Sequence, residues 1–118
     1  LVHEFTHVVV MSVNPRIPLW LNEGIACYES DKKLYQQNAV YIKKQAEEGR
    51  LPNFWEIDKD PSTGEVYFYA GIIVEYILEQ YSLEYLNAFI RTPDTMKVFA
   101  KSLQEFQEGW KKYIIEKY

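Results

Sequence analysis

The sequence has few of the residues on which several common protein classes depend. Cys27 is its one cysteine, so no disulfide can form within these 118 residues, and the redox compartment stays open. No apolar run approaches the length of about 20 residues that a membrane-spanning helix needs. The 13 basic residues are scattered and are outnumbered by 17 acidic ones, which gives a net charge of −4. We therefore expect no membrane segment and no nucleic-acid partner, while cytoplasmic and extracellular locations both stay open.

The distribution of apolar residues favours a single helical domain over residues 1–118. Hydrophobic residues make up 47% of the chain, which is enough for a core. They recur at helical spacing, and no alternating strand pattern is convincing. We expect an all-α array of about six helices, in which residues 1–30 form a pair of helices and residues 31–118 form a helical bundle.

Capping signals predict where the helices begin and end. Ser62-Thr63-Gly64-Glu65 and Ser102-Leu103-Gln104-Glu105 are capping boxes, and Gly49 is typical of a helix C-terminus. Phe54 to Ile57 is expected to form one turn that fills the core. The predicted helices are Leu1 to about Val13, Trp20 to Ser30, Asp31 to Glu48, one from the first capping box to about Gln80, one from Ser82 to about Arg91, one starting at Thr92-Pro93, and one from the second capping box onward.

Both histidines of the chain lie in one short motif, His3-Glu4-Phe5-Thr6-His7. Residues four apart on an α-helix lie on the same face, so His3 and His7 can direct two imidazole nitrogens at one ion. Glu4 lies about 100° round the helix from His3, where it can accept a proton from a water molecule that the metal activates. The alternative is two helix-face histidines with an incidental glutamate. The motif predicts a Zn²⁺ site with its own general base.

A catalytic zinc site needs one more protein ligand and leaves one position to water. The nearby candidates are Cys27, Glu23, Glu29 and Asp31. Glu23 is favoured because it follows a proline-containing loop that turns the chain back, so two antiparallel helices bring it opposite the histidines. The alternatives are that Glu23 is a solvated helix residue and that Cys27 is a small apolar filler.

The segment Trp20-Leu21-Asn22-Glu23-Gly24-Ile25-Ala26 resembles the WLNEGxA signature of the gluzincin metallopeptidases, and in particular small peptidase MA-like domains. The specific part of the resemblance covers residues 3–26. It implies the C-terminal helical part of a zincin-like catalytic domain, here without the upstream sheet. It also implies that the two motif histidines and Glu23 bind zinc and that Glu4 activates water. Fifteen residues separate His7 from Glu23, a few fewer than in the aminopeptidases, so the connecting loop is shorter.

Peptide hydrolysis also needs a donor to the oxyanion that forms in the transition state. The segment Val66 to Gly71 resembles the tyrosine-containing "YxKG" helix start of the zinc aminopeptidases. Counting back from Gly71 places the family's tyrosine at Phe68, and a shift of one residue makes either Tyr67 or Tyr69 the donor. The alternative for Tyr69 is a core residue, because it belongs to the apolar stripe of its helix. The sequence does not choose whether Asn22, Glu29 or a backbone carbonyl orients the histidines.

These observations predict a zinc-dependent peptidase that acts on a peptide or protein substrate, with endopeptidase and aminopeptidase activity both open. A structural zinc site is less favoured, because such sites are usually closed by four ligands and rich in cysteine. The main alternative is a non-catalytic binding or scaffold module on a peptidase-like fold, because the sequence shows no strand to form the opposite wall of a cleft. The chain begins with Leu1 and its motif is complete by His7. We therefore expect it to be the C-terminal piece of a longer protein with an upstream domain.

Overall fold

The helical architecture predicted from the sequence is confirmed by a computed structural model that describes residues 13–30, 37–59 and 65–118. These ranges contain six α-helices, one 3-10 helix and no strand. None of the helices in them has both the length and the apolar character needed to cross a membrane. In chain order the elements are α1 (Leu19–Ser30), α2 (Ala39–Glu47), the 3-10 helix (Phe54–Lys59), α3 (Glu65–Gln80), α4 (Leu83–Arg91), α5 (Thr95–Phe99) and α6 (Leu103–Lys117).

Most of the predicted boundaries within these ranges are confirmed by the local hydrogen bonds. The Ser82 hydroxyl accepts the Tyr85 N–H at 3.4 Å at the start of α4. Ser102 and Glu105 form the reciprocal capping box of α6, at 3.1 and 3.0 Å. The expectation that Thr92-Pro93 begins a helix is wrong. Helix α5 begins at Thr95, because Asp94 caps it by accepting the N–H groups of the next turn.

The C-terminus of α2 follows the predicted glycine rule. Gly49 has a φ of 70°, and its N–H donates to Ala46 while the Arg50 N–H donates to Gln45, which is a Schellman motif. The N-terminal part of the helix predicted from Asp31, the first capping box up to Gly64, and the predicted first helix up to residue 12 lie outside the described residues.

The core forms around α3, whose residues 69–77 are all buried. Phe54 and Ile57 are each 2% exposed, so the predicted core-filling turn is confirmed. The large apolar residues of α6 between Phe106 and Ile114 are buried, whereas Leu103 is 40% exposed. Leu103 directly follows the capping serine, at the end of the helix where the chain leaves the core.

Among the described elements, helices α1 and α3 form the most extensive contact. A Cβ atom on Gly24 would lie 2.7 Å from the Ala70 carbonyl oxygen and 2.9 Å from its carbonyl carbon. Because these are backbone atoms of a buried helix, they cannot move aside without shifting the helix. Gly24 is therefore required for the distance at which the two helices cross.

Gly109, inside α6, is also required by close packing. Gly109 is unfavourable in a helix by about 1 kcal/mol relative to alanine. In the fold, the Tyr76 hydroxyl occupies the place where a Cβ atom of residue 109 would lie. Burial raises the pKa of Tyr76 well above its ordinary value, and the neighbouring Tyr81 makes a smaller contribution in the same direction. The Tyr76 ring contacts Phe106 and Tyr113, so it has little freedom to move away.

A buried carboxylate connects α3 to the end of α6. Glu75 is 2% exposed and accepts a hydrogen bond from the Tyr118 hydroxyl. The Lys117 ammonium lies 3.1 Å from Glu75 and 3.5 Å from the exposed Glu79. Burial alone lowers the pKa of Lys117, but Tyr113 and Glu75 outweigh it, so the net shift is above the ordinary value of 10.5. Burial also raises the pKa of Tyr113 to about 12.

Gly24→Ala is expected to lower the free energy of unfolding by about 1–3 kcal/mol, because the added methyl group overlaps the Ala70 backbone. Urea unfolding followed by circular dichroism measures the change. Glu29→Ala, on the exposed side of the same helix, is the matched control and should change stability by no more than about 0.5 kcal/mol. A Gly24→Ala variant as stable as the original protein would contradict the close crossing.

Gly109→Ala is expected to be at least about 1 kcal/mol more destabilising in the original protein than in a Tyr76→Phe background, which lacks the obstructing hydroxyl. A double-mutant cycle of urea-unfolding free energies gives this coupling directly. Equal effects of Gly109→Ala in the two backgrounds would show that Tyr76 does not determine the glycine.

Glu75→Gln is expected to cost about 1.5–3 kcal/mol, because it removes charge-assisted hydrogen bonds from a buried position. Glu79→Gln removes the exposed partner of the same lysine and should cost no more than about 1 kcal/mol. Folding raises the pKa of Lys117, so this contribution is complete below about pH 10.5 and is lost at higher pH. Unfolding free energies measured between pH 7 and 12 test both statements; similar losses for the two variants would contradict them.

Candidate metal centre

The predicted site residues are divided between described and undescribed parts of the chain. His3, Glu4, His7 and Asp31 lie outside the described residues. The remaining ligand candidates, Glu23, Cys27 and Glu29, all lie on α1. Within ranges 13–30, 37–59 and 65–118, no three His, Cys, Asp or Glu side chains converge on one point. Of the predicted metal ligands, those that the structure describes therefore all lie on α1.

Helix α1 is buried on almost every side, and its acidic residues differ in exposure. Glu29 is exposed at the end of the helix, whereas Glu23 is half-buried in its middle. Cys27 is buried, which agrees with the role of a small apolar filler. Of the three ligand candidates on α1, Glu23 is the carboxylate that is partly sheltered from solvent.

Packing explains most of the WLNEG segment, because its apolar residues belong to the core. The Trp20 ring meets Phe54 edge-on, with centroids 5.6 Å apart, and lies 6.1 Å from the Phe89 ring. Leu21 is fully buried, and Gly24 allows the crossing with α3. These roles concern the fold and need no ligand.

The two polar residues of the segment are not explained by apolar packing. Asn22 is 6% exposed, and Glu23 beside it is half-buried. This is the part of α1 on which the sequence places the zinc ligand.

The crossing of α1 and α3 involves the residues that follow Glu23 and Tyr69 in the sequence. Glu23 directly precedes Gly24, and Tyr69 directly precedes Ala70, the residue against which Gly24 packs. Tyr69 is 7% exposed, and its ring meets Trp110 edge-on at 6.4 Å. This packing agrees with the interpretation of Tyr69 as a core residue.

Tyr67 lies in the first turn of the same helix, and its side chain is outside the described part of the structure. Positions two residues apart on an α-helix differ by about 200° in direction, so Tyr67 and Tyr69 do not share a face of α3. The burial of Tyr69 leaves Tyr67 as the position to test first for an oxyanion donor.

The sequence analysis did not predict the close helix crossing at Gly24 or the burial of Asn22. A glycine inside a helix, away from either end, is a signal of close backbone approach, and this signal was available at Gly24. The partner of Gly24 was not predictable, because Ala70 lies 46 positions further along the chain. The burial of Asn22 likewise depends on tertiary packing.

The family resemblance rests on the quoted residues alone. In comparisons with known proteins, no family model, no curated protein and no solved structure matches the chain.

Proposed function

We propose that the protein is a zinc-dependent peptidase of the gluzincin type, which hydrolyses peptide bonds in a peptide or protein substrate. The single observation that carries the proposal is the pairing of the HEFTH motif with Glu23, a half-buried acid on an otherwise mostly buried helix. The crossing at Gly24 supports it, because it holds that helix against the one that carries Tyr67 and Tyr69.

The proposed ligands fit zinc by their chemistry. Two imidazole nitrogens and one carboxylate oxygen are a ligand set that zinc accepts in catalytic sites, with the fourth position open. His3, His7 and Glu23 would hold the ion. When bound, zinc supplies Lewis-acid polarisation of the scissile carbonyl and lowers the pKa of water to about 7.

The protein's own residues carry the proton transfers in this proposal. The Glu4 carboxylate accepts a proton from the attacking water and then donates it to the leaving amine, a contribution of about 10²- to 10⁴-fold in rate. Tyr67, or Tyr69 if its packing against Trp110 permits, donates a hydrogen bond to the oxyanion. The acid on α1 neutralises part of the charge of the ion.

A binding or scaffold module on a peptidase-like fold is the second candidate. Two observations favour it: Tyr69 is packed into the core, and residues 13–30, 37–59 and 65–118 contain no strand that pairs with a substrate backbone. Such a module can bind zinc and a peptide without cleaving it.

Three substitutions separate these functions. Glu4→Gln should leave about one zinc per chain and lower peptide hydrolysis at least about 100-fold, because it removes the base and not a ligand. Glu23→Gln should lower zinc content and hydrolysis together. Zinc content is measured by elemental analysis after dialysis, and hydrolysis by mass spectrometry of a mixed peptide library.

Glu47→Gln is the matched control, because it makes the same chemical change at an exposed position of α2, which contributes no candidate residue to the site. It should alter neither zinc content nor hydrolysis. Zinc binding without cleavage in the original protein would support the binding module. Zinc loss of the same size in Glu47→Gln and Glu23→Gln would contradict the ligand assignment.

A further inference from the structure

We propose that a cleft between the C-terminal end of α3 and helix α6 binds a small aromatic anion, of the class of an aryl carboxylate. The cleft has a volume of about 480 Å³. This value lies within the range of about 300–1,000 Å³ that is typical of sites for small molecules. None of the proposed zinc ligands lines the cleft, so the inference does not depend on the proposed metal centre.

Tyrosine rings form the inner part of the cleft. Tyr76 and Tyr113 both line it and are both buried, and their ring centroids lie 5.5 Å apart. Tyr81 also lines it and meets the Tyr76 ring edge-on at 6.0 Å. The Tyr81 ring is held in turn by Phe99, with centroids 4.7 Å apart. The cleft therefore offers a ligand an aromatic surface whose geometry is already fixed by the core.

Gly109 forms the α6 side of the same aromatic surface. It lines the cleft, and the Tyr76 hydroxyl lies where a Cβ atom of residue 109 would be. Any other residue at this position would displace the Tyr76 ring, which is itself part of the cleft. The requirement for glycine in α6 and the presence of the cleft therefore have the same structural origin.

The charged residues that line the cleft carry an excess of positive charge. Lys101, just before α6, and Lys112, within it, are both exposed, and Glu116 is the one acidic residue among the described residues that line the cleft. Lys112 lies 3.9 Å from Glu116, but the two side chains are 76% and 66% exposed, and such a pair contributes little in water. The protein as a whole has a net charge of −4. This local excess of cations therefore favours an anion over a cation.

Lys101 is not closely engaged by its acidic neighbour, Glu105. The Glu105 carboxylate accepts the Ser102 N–H at 3.0 Å in the capping box of α6. Hydrogen bonds with Ser102 are the main cause of the lowered pKa of Glu105, and Lys101 makes the smallest contribution. The charge of Lys101 is therefore available to a ligand in the cleft.

These features together define the class of ligand. The tyrosine rings favour a planar apolar body, which packs edge-on or offset against them. The lysines favour a negative charge on that body, and Gln80, at the end of α3, offers an amide for a further hydrogen bond. An aromatic molecule that carries a carboxylate satisfies both requirements.

The experiment follows the binding of naphthoate to the 118-residue chain by proton–nitrogen correlation NMR. The backbone amide signals of Tyr76, Gly109 and Lys112 should shift, because these residues line the cleft. Two further probes separate ring from charge. Cyclohexanecarboxylate has the charge without an aromatic ring, and naphthalenemethanol has the ring without a charge; each should bind at least about threefold more weakly than naphthoate.

A Lys101→Gln/Lys112→Gln double variant removes both positive charges of the cleft and should weaken naphthoate binding about three- to tenfold. Lys97→Gln/Lys111→Gln is the matched control, because it changes the net charge by the same amount at two lysines that do not line the cleft. The control should bind naphthoate as the original protein does. The NMR spectra of both variants also show whether the fold is retained.

Signal shifts at the cleft, together with weaker binding in the Lys101→Gln/Lys112→Gln variant alone, would support the inference. Unchanged signals of Tyr76, Gly109 and Lys112 in millimolar naphthoate would overturn it. Equal weakening in the two double variants would assign the effect to net charge and also overturn it, as would binding of cyclohexanecarboxylate as tight as that of naphthoate. The experiment involves no zinc, so its failure would leave the proposed function untouched.

Discussion

The crossing of α1 and α3 is the constraint on which the rest of the structure depends. It brings the backbones so close that a methyl group on Gly24 would meet the Ala70 carbonyl at 2.7 Å. This distance allows α3 to be buried along residues 69–77, and it places Trp20 among the aromatic rings contributed by the 3-10 helix and α4. The same contact sets the position of Glu23, so the fold and the proposed metal centre depend on one glycine.

The core formed around that crossing is rich in aromatic rings, and this has a structural consequence. Flat rings fill space efficiently, but their geometry is specific, and edge-on pairs such as Trp20–Phe54 and Phe54–Phe106 are more frequent than stacked pairs among the described residues. Gly109 is the clearest result: the helix contains an unfavourable residue because the hydroxyl of the buried Tyr76 occupies the space of its Cβ atom. Helix propensity is a weak preference of about 1 kcal/mol, whereas overlap with a buried ring costs more.

The sequence predicted the helices well and their contacts poorly, and the reason is physical. Capping signals act over three or four residues, so Ser82, Gly49 and the Ser102–Glu105 box could be identified without the fold. The helix start predicted at Thr92-Pro93 was wrong because Asp94, a stronger N-cap, follows Pro93. The contacts of Gly24, Gly109 and Asn14 connect residues 33 to 76 positions apart, and no local pattern encodes them. The two proposed histidine ligands were identified from the spacing of the HEFTH motif, and the third proposed ligand, Glu23, from the WLNEG segment on α1.

The contrast between two acids explains why Glu23, and not Glu75, belongs to the candidate site. A carboxylate removed from water must have its charge balanced by a nearby cation or by hydrogen bonds. Glu75 is almost completely enclosed and is balanced from within the protein by Lys117 and Tyr118, so an ion from solvent has no access to it. Glu23 is half-buried, so the residue keeps contact with solvent, and it also takes part in interactions within the fold. Partial shelter strengthens the attraction of a carboxylate to a cation, and contact with solvent gives an ion access to it.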